Sequence, residues 1–172
     1  MPQQEAVDAI TLLKNDHREV EELFKKYENT GSGSKQKLAE QICNELKIHS
    51  MIEEEVFYPA CEGVVEDADI KEAYVEHDGA KILINDILGE ARRDDEYYDA
   101  KIKVLQEQIE HHVKEEERGG DSIFGQVKSA KKLDLDQLGE QMAARKAELK
   151  AELEAGGSLP PAATATMTAL PT

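Results

Sequence analysis

The chain has 172 residues and a mass of 19.2 kDa, with 37 acidic and 21 basic side chains and a formal net charge of -16. This length is typical of one domain. So negative a surface repels nucleic-acid phosphates and anionic lipids, and no basic run is longer than a pair, so neither nucleic acid nor membrane is an expected partner. No apolar stretch is long enough to span a membrane. A secretory signal peptide begins with positive charge, whereas this chain has Glu5 and Asp8 near its start, which predicts a cytoplasmic protein.

The composition favours an all-α fold. Glu, Lys, Ala, Leu and Gln dominate, aromatic residues make up 5%, and a hydrophobic content of 40% is enough for one apolar stripe on each helix. The two cysteines, Cys43 and Cys61, do not form a CxxC pair, and we expect them to be reduced.

Apolar residues spaced by three and four predict four long helices joined by short connections. The predicted helices cover residues of about 5–28, 35–58, 69–88 and 97–118. Pro59 closes the second helix, and Asp69 with Glu72 forms a capping box at the start of the third. Four such helices predict an antiparallel up-down-up-down bundle in residues 1–128.

A fifth helix is predicted outside the bundle. Asp134 and Gln137 match a second capping box, and the helix should end near Glu154 within a segment of residues 129–155. Residues 156–172 are rich in Ala, Pro and Thr and lack charge and periodicity after Gly156-Gly157, so this tail is expected to be disordered.

Four of the five histidines fall one to each bundle helix, and each lies on the apolar stripe of its helix. These four are His17, His49, His77 and His112. If a residue lands on such a stripe about three times in seven, four landings have a chance of roughly 0.03. Glu53 and Glu116 follow two of the histidines at i+4, so each of these helices presents a ring nitrogen and a carboxylate one turn apart.

Distances along the helices allow the four histidines to meet at one level. His17 lies roughly 16 Å from the first turn and His49 roughly 21 Å beyond it, and the later helix pairs give similar sums. Four imidazoles and two carboxylates in an apolar core would each cost several kcal/mol without a partner. A cation partners all six, and six ligands suit two metal ions bridged by Glu53 and Glu116. Iron, manganese and zinc all accept such ligands.

The motifs around these residues resemble the hemerythrin-like, HHE cation-binding domain over residues of about 5–128. They are Asp16-His17-Arg18-Glu19-Val20, HSMIEEEVFYP from His49 to Pro59, Glu76-His77 and HHVKEEE from His111 to Glu117. The resemblance implies two bridged non-haem iron ions in a four-helix bundle, with His17, His49, Glu53, His77, His112 and Glu116 as ligands. The Glu pair after the fourth histidine favours His112 with Glu116 over the alternative, His111 with Glu115, which follows a weaker stripe.

The sequence departs from the oxygen-carrying members at two ligand positions, and from the usual pattern of the family after the fourth helix. On the fourth helix Glu116 follows His112 at i+4, where the oxygen carriers have an Asp at i+5. Ala73 stands where they have a further histidine on the third helix, so water, Tyr58 or Tyr74 is expected in its place. After Glu117 the chain continues RGGDSIF rather than directly to an aromatic residue and proline, which leaves the lid of the site undefined.

The resemblance predicts a protein that binds O2, NO or peroxide at its iron centre, as a monomer or weak dimer. A stress-response enzyme that decomposes peroxide or reduces NO is an alternative, and an iron donor for cluster repair is another. Whether the protein is an enzyme stays open at this point.

Overall fold

The structure, a computed structural model, describes residues 6–89 and 95–167. Its helices are α1 (Ala9–Glu28), α2 (Ser32–Ile52), α3 (Tyr58–Cys61), α4 (Asp67–Leu88), α5 (Tyr98–Glu117), α6 (Ile123–Ala130) and α7 (Leu135–Gly156). A π-helical segment, Glu53–Phe57, joins α2 to α3 without a break. The predicted all-α class is confirmed.

Helices α1, α2, α4 and α5 form the bundle. Each packs against the next, and α1 also contacts α5, which closes the ring. The apolar core is divided into two clusters, one that includes Leu13 and Ile52 and one that includes Val20 and Leu46. The four histidines on the apolar stripes occupy the layer between the clusters, so packing on both sides fixes the level at which they meet.

The helix starts differ from their predicted positions. Helix α4 begins at Asp67, and its N-cap residue Glu66 makes no side-chain capping bond, so the capping box predicted at Asp69 is wrong. The Asp69 carboxylate instead accepts a hydrogen bond from Gln126 of α6 at 2.7 Å. The capping role of Asp134 is confirmed, because its side chain accepts from the Gln137 amide at 3.0 Å.

The π-helical segment changes which face follows it. A π turn inserts one residue into the helix, so the side chains beyond it are rotated by about 100° relative to a regular α-helix. Pro59 does not close the helix as predicted, because the helix continues through it to Cys61. Because of the rotation after the π turn, Phe57 and Tyr58 both lie fully buried in the core. These two residues are at the predicted end of the helix.

The segment after α5, predicted as a linker, contains α6. Ser122 caps this helix by accepting from the Gly125 amide at 3.0 Å, and Ile123, Phe124 and Val127 are buried under the bundle. Its apolar residues at i, i+1 and i+4 were too few to predict a helix from periodicity.

The C-terminal part of the chain lies against the bundle. Helix α7 packs on α1, α2 and the π-helical segment. Residues 158–167, within the tail expected to be disordered, follow the bundle surface: Leu159 is buried, and its carbonyl accepts from Lys47 Nζ at 3.2 Å. Most of the tail's polar contacts use backbone groups, which leave no periodicity in the sequence. Residues 168–172 of the predicted tail and 90–94 of the predicted turn lie outside the described residues, as do residues 1–5.

Across the two stretches that the structure covers, every helix is too short or too polar to cross a bilayer.

Helix α7 approaches the start of α1 so closely that Gly139 has no room for a side chain. A Cβ at this position would lie 2.3 Å from the Val7 carbonyl oxygen. We expect Gly139→Ala to lower the free energy of unfolding by about 1–3 kcal/mol in urea denaturation, because backbone must move. Gly156→Ala is the control: a Cβ there meets no atom within 4 Å, and the change should stay below about 1 kcal/mol. Equal stability of the two variants would contradict this packing.

Candidate metal centre

The six ligand residues predicted from the sequence meet in the middle of the bundle, and none is more than 7% exposed. Their ligand atoms form two groups, each with all atoms within 4.8 Å of one another. The first group is His17, His49, Glu53 and Glu116, and the second is His77, His112, Glu53 and Glu116. The two carboxylates belong to both groups, which is the arrangement expected of bridging ligands.

Each pair of histidines turns ring nitrogens toward each other. The Nε2 atoms of His17 and His49 are 3.2 Å apart, and those of His77 and His112 are 3.1 Å apart. Two nitrogens bound to one metal ion at about 2.1 Å, with an angle near 95°, are separated by roughly 3.1 Å. The spacing within both pairs therefore fits a shared metal ion.

Every one of these histidines has a carboxylate at its other nitrogen. We call these four residues the outer carboxylates. They are Asp16 at 3.1 Å from His49 Nδ1, Glu54 at 3.0 Å from His77, Glu76 at 2.9 Å from His112 and Glu117 at 3.3 Å from His17. A carboxylate holds the proton on Nδ1, which leaves a lone pair on Nε2. Two such lone pairs facing each other repel unless a proton or a metal ion lies between them.

The outer carboxylates follow a regular order around the bundle. Each is the sequence neighbour of a predicted ligand, yet it supports the histidine of the next helix. Asp16 of α1 contacts His49 of α2, and the same step leads from the π-helical segment to α4, from α4 to α5, and from α5 back to α1. Sequence reasoning assigned these residues no role, although their position beside a ligand was a usable signal.

The charges of the centre call for a positive partner. Burial lowers the pKa of His49, but Glu53 and Asp16 outweigh it and raise that pKa to about 10. The pKa of His112 is raised well above its usual value, because Glu116 and Glu76 outweigh its burial. Burial raises the pKa of Glu53, but His49 and His77 more than reverse this and bring it well below its usual value. Glu53 Oε2 and Glu116 Oε2 are buried and accept no hydrogen bond from the described residues.

Of the two tyrosines considered for the extra position, Tyr58 points into the centre. Its hydroxyl lies 3.3 Å from Nε2 of both His77 and His112 and 3.5 Å from Glu116 Oε1. Burial, followed by the charges of Glu116 and Glu53, raises the pKa of Tyr58 well above 10, so the phenol stays protonated. Tyr74 packs on the Tyr58 ring, with ring centres 5.3 Å apart.

The structure separates the two possible ligand pairs of α5. The side chain of His111 is 60% exposed and Glu115 is also exposed, whereas His112 and Glu116 are buried in the centre. His111 Nε2 instead lies 3.1 Å from Glu76 Oε2. The pair formed by His112 and Glu116 is therefore the one that the fold brings to the other ligands.

The centre is bordered by an aromatic ring on one side and by a largely apolar cavity on the other. On one side Phe124 of α6 stacks on the His17 ring, with centroids 6.1 Å apart and planes inclined by 9°, so α6 supplies an aromatic cover. On the other side the histidines border a cavity of about 30 Å³ whose apolar walls include Val20, Leu46 and Ile84. A water molecule needs roughly 10–15 Å³ of such a cavity, so there is room for a ligand of two or three heavy atoms.

The sequence and the fold both match known proteins. A model of the hemerythrin HHE cation binding domain matches residues 8–119. The crystal structure of a hemerythrin HHE cation binding domain-containing protein from Mycobacterium kansasii is similar, with 26% identity and a TM-score of 0.73. The alignment covers 88% of this chain and 95% of that one. None of the curated protein sequences matches the chain.

Removal of metal should destabilise the fold, because the buried ligands lose their common partner. At a metal concentration about a thousandfold above the dissociation constant, binding adds about 4 kcal/mol to the free energy of unfolding. We expect the metal-loaded protein to melt well above the chelator-treated protein in calorimetry. His112→Ala, which removes a ligand of one of the two groups, should lose about half of this difference, whereas the neighbouring His111→Ala should keep it. Equal melting temperatures with and without metal would contradict the assignment.

Proposed function

This chain belongs to the hemerythrin HHE cation-binding domain family, and we propose that its buried centre holds two bridged non-haem iron ions that bind O2, NO or peroxide. Domains of this family bind metal cations. The proposal rests on two pairs of histidines. Within each pair the Nε2 atoms are 3.2 or 3.1 Å apart, which is close to the distance between two nitrogens bound to one metal ion. Glu53 and Glu116 belong to both groups of ligand atoms.

In this proposal His17 and His49 hold one ion, His77 and His112 hold the other, and the two glutamates bridge them. Imidazole nitrogen and carboxylate oxygen are suitable ligands for iron. Iron, when bound, supplies the redox chemistry by which small oxygen and nitrogen ligands are held. Four imidazoles against two carboxylates favour reversible binding over the oxidation of an organic substrate.

The surrounding residues select the ligand by size and polarity. The cavity beside the histidines is too small for an organic substrate, and most of its surface is apolar, with Val20, Leu46 and Ile84 among the lining residues. Apolar walls disfavour water next to a bound ligand, which limits proton transfer to that ligand. The geometry therefore supports binding of a diatomic molecule or peroxide.

One observation favours an enzymatic alternative. The Tyr58 hydroxyl lies within 3.5 Å of three ligand atoms, all of them in the second group. A protonated phenol at this distance can donate a proton to a ligand bound there. This supports a second candidate, decomposition of peroxide or reduction of NO, for which a proton donor is required.

The binding proposal is tested with the reduced, iron-loaded protein. Exposure to O2 or NO should change the absorption spectrum, with one ligand taken up per two irons, and removal of the gas should restore the starting spectrum. Ala80→Ile, which fills the cavity, should weaken uptake by about tenfold or more, because no room remains for the ligand. The exposed Ala100→Ile is the control and should behave as the unaltered protein. Irreversible oxidation without a bound state would contradict the carrier proposal.

The enzymatic candidate is tested with Tyr58→Phe. This variant keeps the ring and loses only the hydroxyl, so its iron content should stay the same. If Tyr58 donates the proton, steady-state O2 evolution from added peroxide should fall by about a hundredfold or more, within the usual range for a general acid. Turnover that is absent in the unaltered iron-loaded protein, or that persists unchanged in Tyr58→Phe, would exclude this role.

A further inference from the structure

The C-terminal extension, which we define as α7 and residues 158–167, lies outside the segment that matches the family model. It nevertheless contacts the surroundings of the metal centre in two places. One contact involves Lys146 of α7, and the other involves the carbonyl of Ala163 in the tail.

The first contact leads to His49. Lys146 Nζ donates to Asp16 Oδ1 at 2.5 Å, and Asp16 Oδ2 lies 3.1 Å from His49 Nδ1. Both oxygens of this outer carboxylate are therefore engaged, one by α7 and one by the histidine. The side chains of Asp16 and Lys146 are 8% and 19% exposed, so the ion pair is shielded from solvent and holds its geometry better than a surface pair.

The second contact leads to His77. Lys81 Nζ donates to Glu54 Oε1 at 2.9 Å and to the Ala163 carbonyl at 3.0 Å, while Glu54 Oε2 lies 3.0 Å from His77 Nδ1. The side chain of Lys81 is only 7% exposed, and the tail covers it. The extension is therefore linked, through a lysine and an outer carboxylate, to one histidine of each metal position.

Side-chain and backbone bonds fix the tail at this place. Asn85 pairs with Ala162 through two hydrogen bonds of 2.8 Å, one donated by each residue. The buried Asp78 carboxylate accepts from the backbone amides of Ala165 and Thr166 at 2.8 and 2.6 Å. The Thr166 hydroxyl also donates to this carboxylate, at 2.5 Å.

The other two histidines are supported differently. Glu117, behind His17, pairs with Arg18, and Glu76, behind His112, pairs with His111. The side chains of Arg18 and His111 are 54% and 60% exposed, so their contacts with the outer carboxylates are open to solvent. Each metal position therefore has one histidine whose outer carboxylate pairs with a solvent-exposed side chain. The outer carboxylate of its other histidine is held in place by the extension.

We propose that the C-terminal extension positions His49 and His77 for metal binding, with Lys146 and Lys81 as positioning residues that act through Asp16 and Glu54. A shielded cation holds the carboxylate in one rotamer, and the carboxylate holds the proton on Nδ1 and the orientation of the ring. Loss of either contact frees the ring, so the metal ion binds less tightly and leaves faster. This inference rests on the proposed binding of two metal ions.

The α7 contact is tested by titrating the full-length apoprotein with Fe²⁺ under anaerobic conditions against a competing chelator. Lys146→Met should weaken one of the two binding steps by about tenfold, the lower end of the range for outer partners of metal ligands. Lys146→Arg, which keeps the charge, should recover most of the affinity. Lys150→Met is the control, because Lys150 lies one turn further along α7 and pairs with Glu45, away from the centre.

The tail contact is tested with Asn85→Ala, which removes both bonds to Ala162 and lies two turns from His77. We expect it to weaken the other binding step several-fold and to speed the loss of one iron to the chelator. Gln106→Ala, which removes an exposed amide paired with Glu110, should leave both steps unchanged. The double variant Lys146→Met, Asn85→Ala should weaken both steps.

The outcomes separate this inference from the proposed function. If the unaltered protein takes up no metal, the proposed function fails. If it binds two ions and both Lys146→Met and Asn85→Ala bind them with unchanged affinity and release rate, the extension has no positioning role. A loss in Lys146→Met that Lys146→Arg does not restore, or one that Lys150→Met shares, also overturns the inference, because it indicates a general loss of packing.

Discussion

The structure depends on one constraint: four imidazoles and two carboxylates lie in a single layer of the bundle with almost no access to water. Buried polar groups of this number would destabilise the fold by several kcal/mol each if they lacked partners. Their ring nitrogens and carboxylate oxygens approach one another at distances near 3 Å, which suits ligands of a common cation. The two apolar clusters on either side keep the layer at one level, and the Phe124 ring covers His17.

The outer carboxylates extend this constraint to the whole bundle. Because each supports the histidine of the next helix, the orientation of every ring depends on the packing of two neighbouring helices. A shift of α1 against α2, for example, would separate Asp16 from His49 as well as His49 from His17. Metal binding and helix packing are therefore coupled, and the further contacts of Lys146 and Lys81 carry this coupling to the C-terminal extension.

The bundle and the convergence of the ligands were predictable because both follow from helical periodicity: residues at i and i+4, such as His49 and Glu53, share a face in any α-helix. Features that do not follow helical periodicity could not be predicted in this way. The π-helical segment turns Tyr58 toward the centre, and a single inserted residue cannot be recognised in the spacing of apolar residues along the sequence. The tail is held largely by backbone groups, so its sequence of Ala, Pro and Thr resembles a disordered chain. The outer carboxylates required knowledge of which helices are neighbours.

We propose that one chain holds two iron ions between His17, His49, His77 and His112. Metal analysis of the protein purified from its own host, together with its absorption spectrum, tests this most directly. We expect close to two irons per chain and a spectrum typical of a bridged iron pair, with about half of the metal lost in His77→Ala. A single metal ion per chain, a metal other than iron, or a metal content unchanged by His77→Ala would contradict the claim.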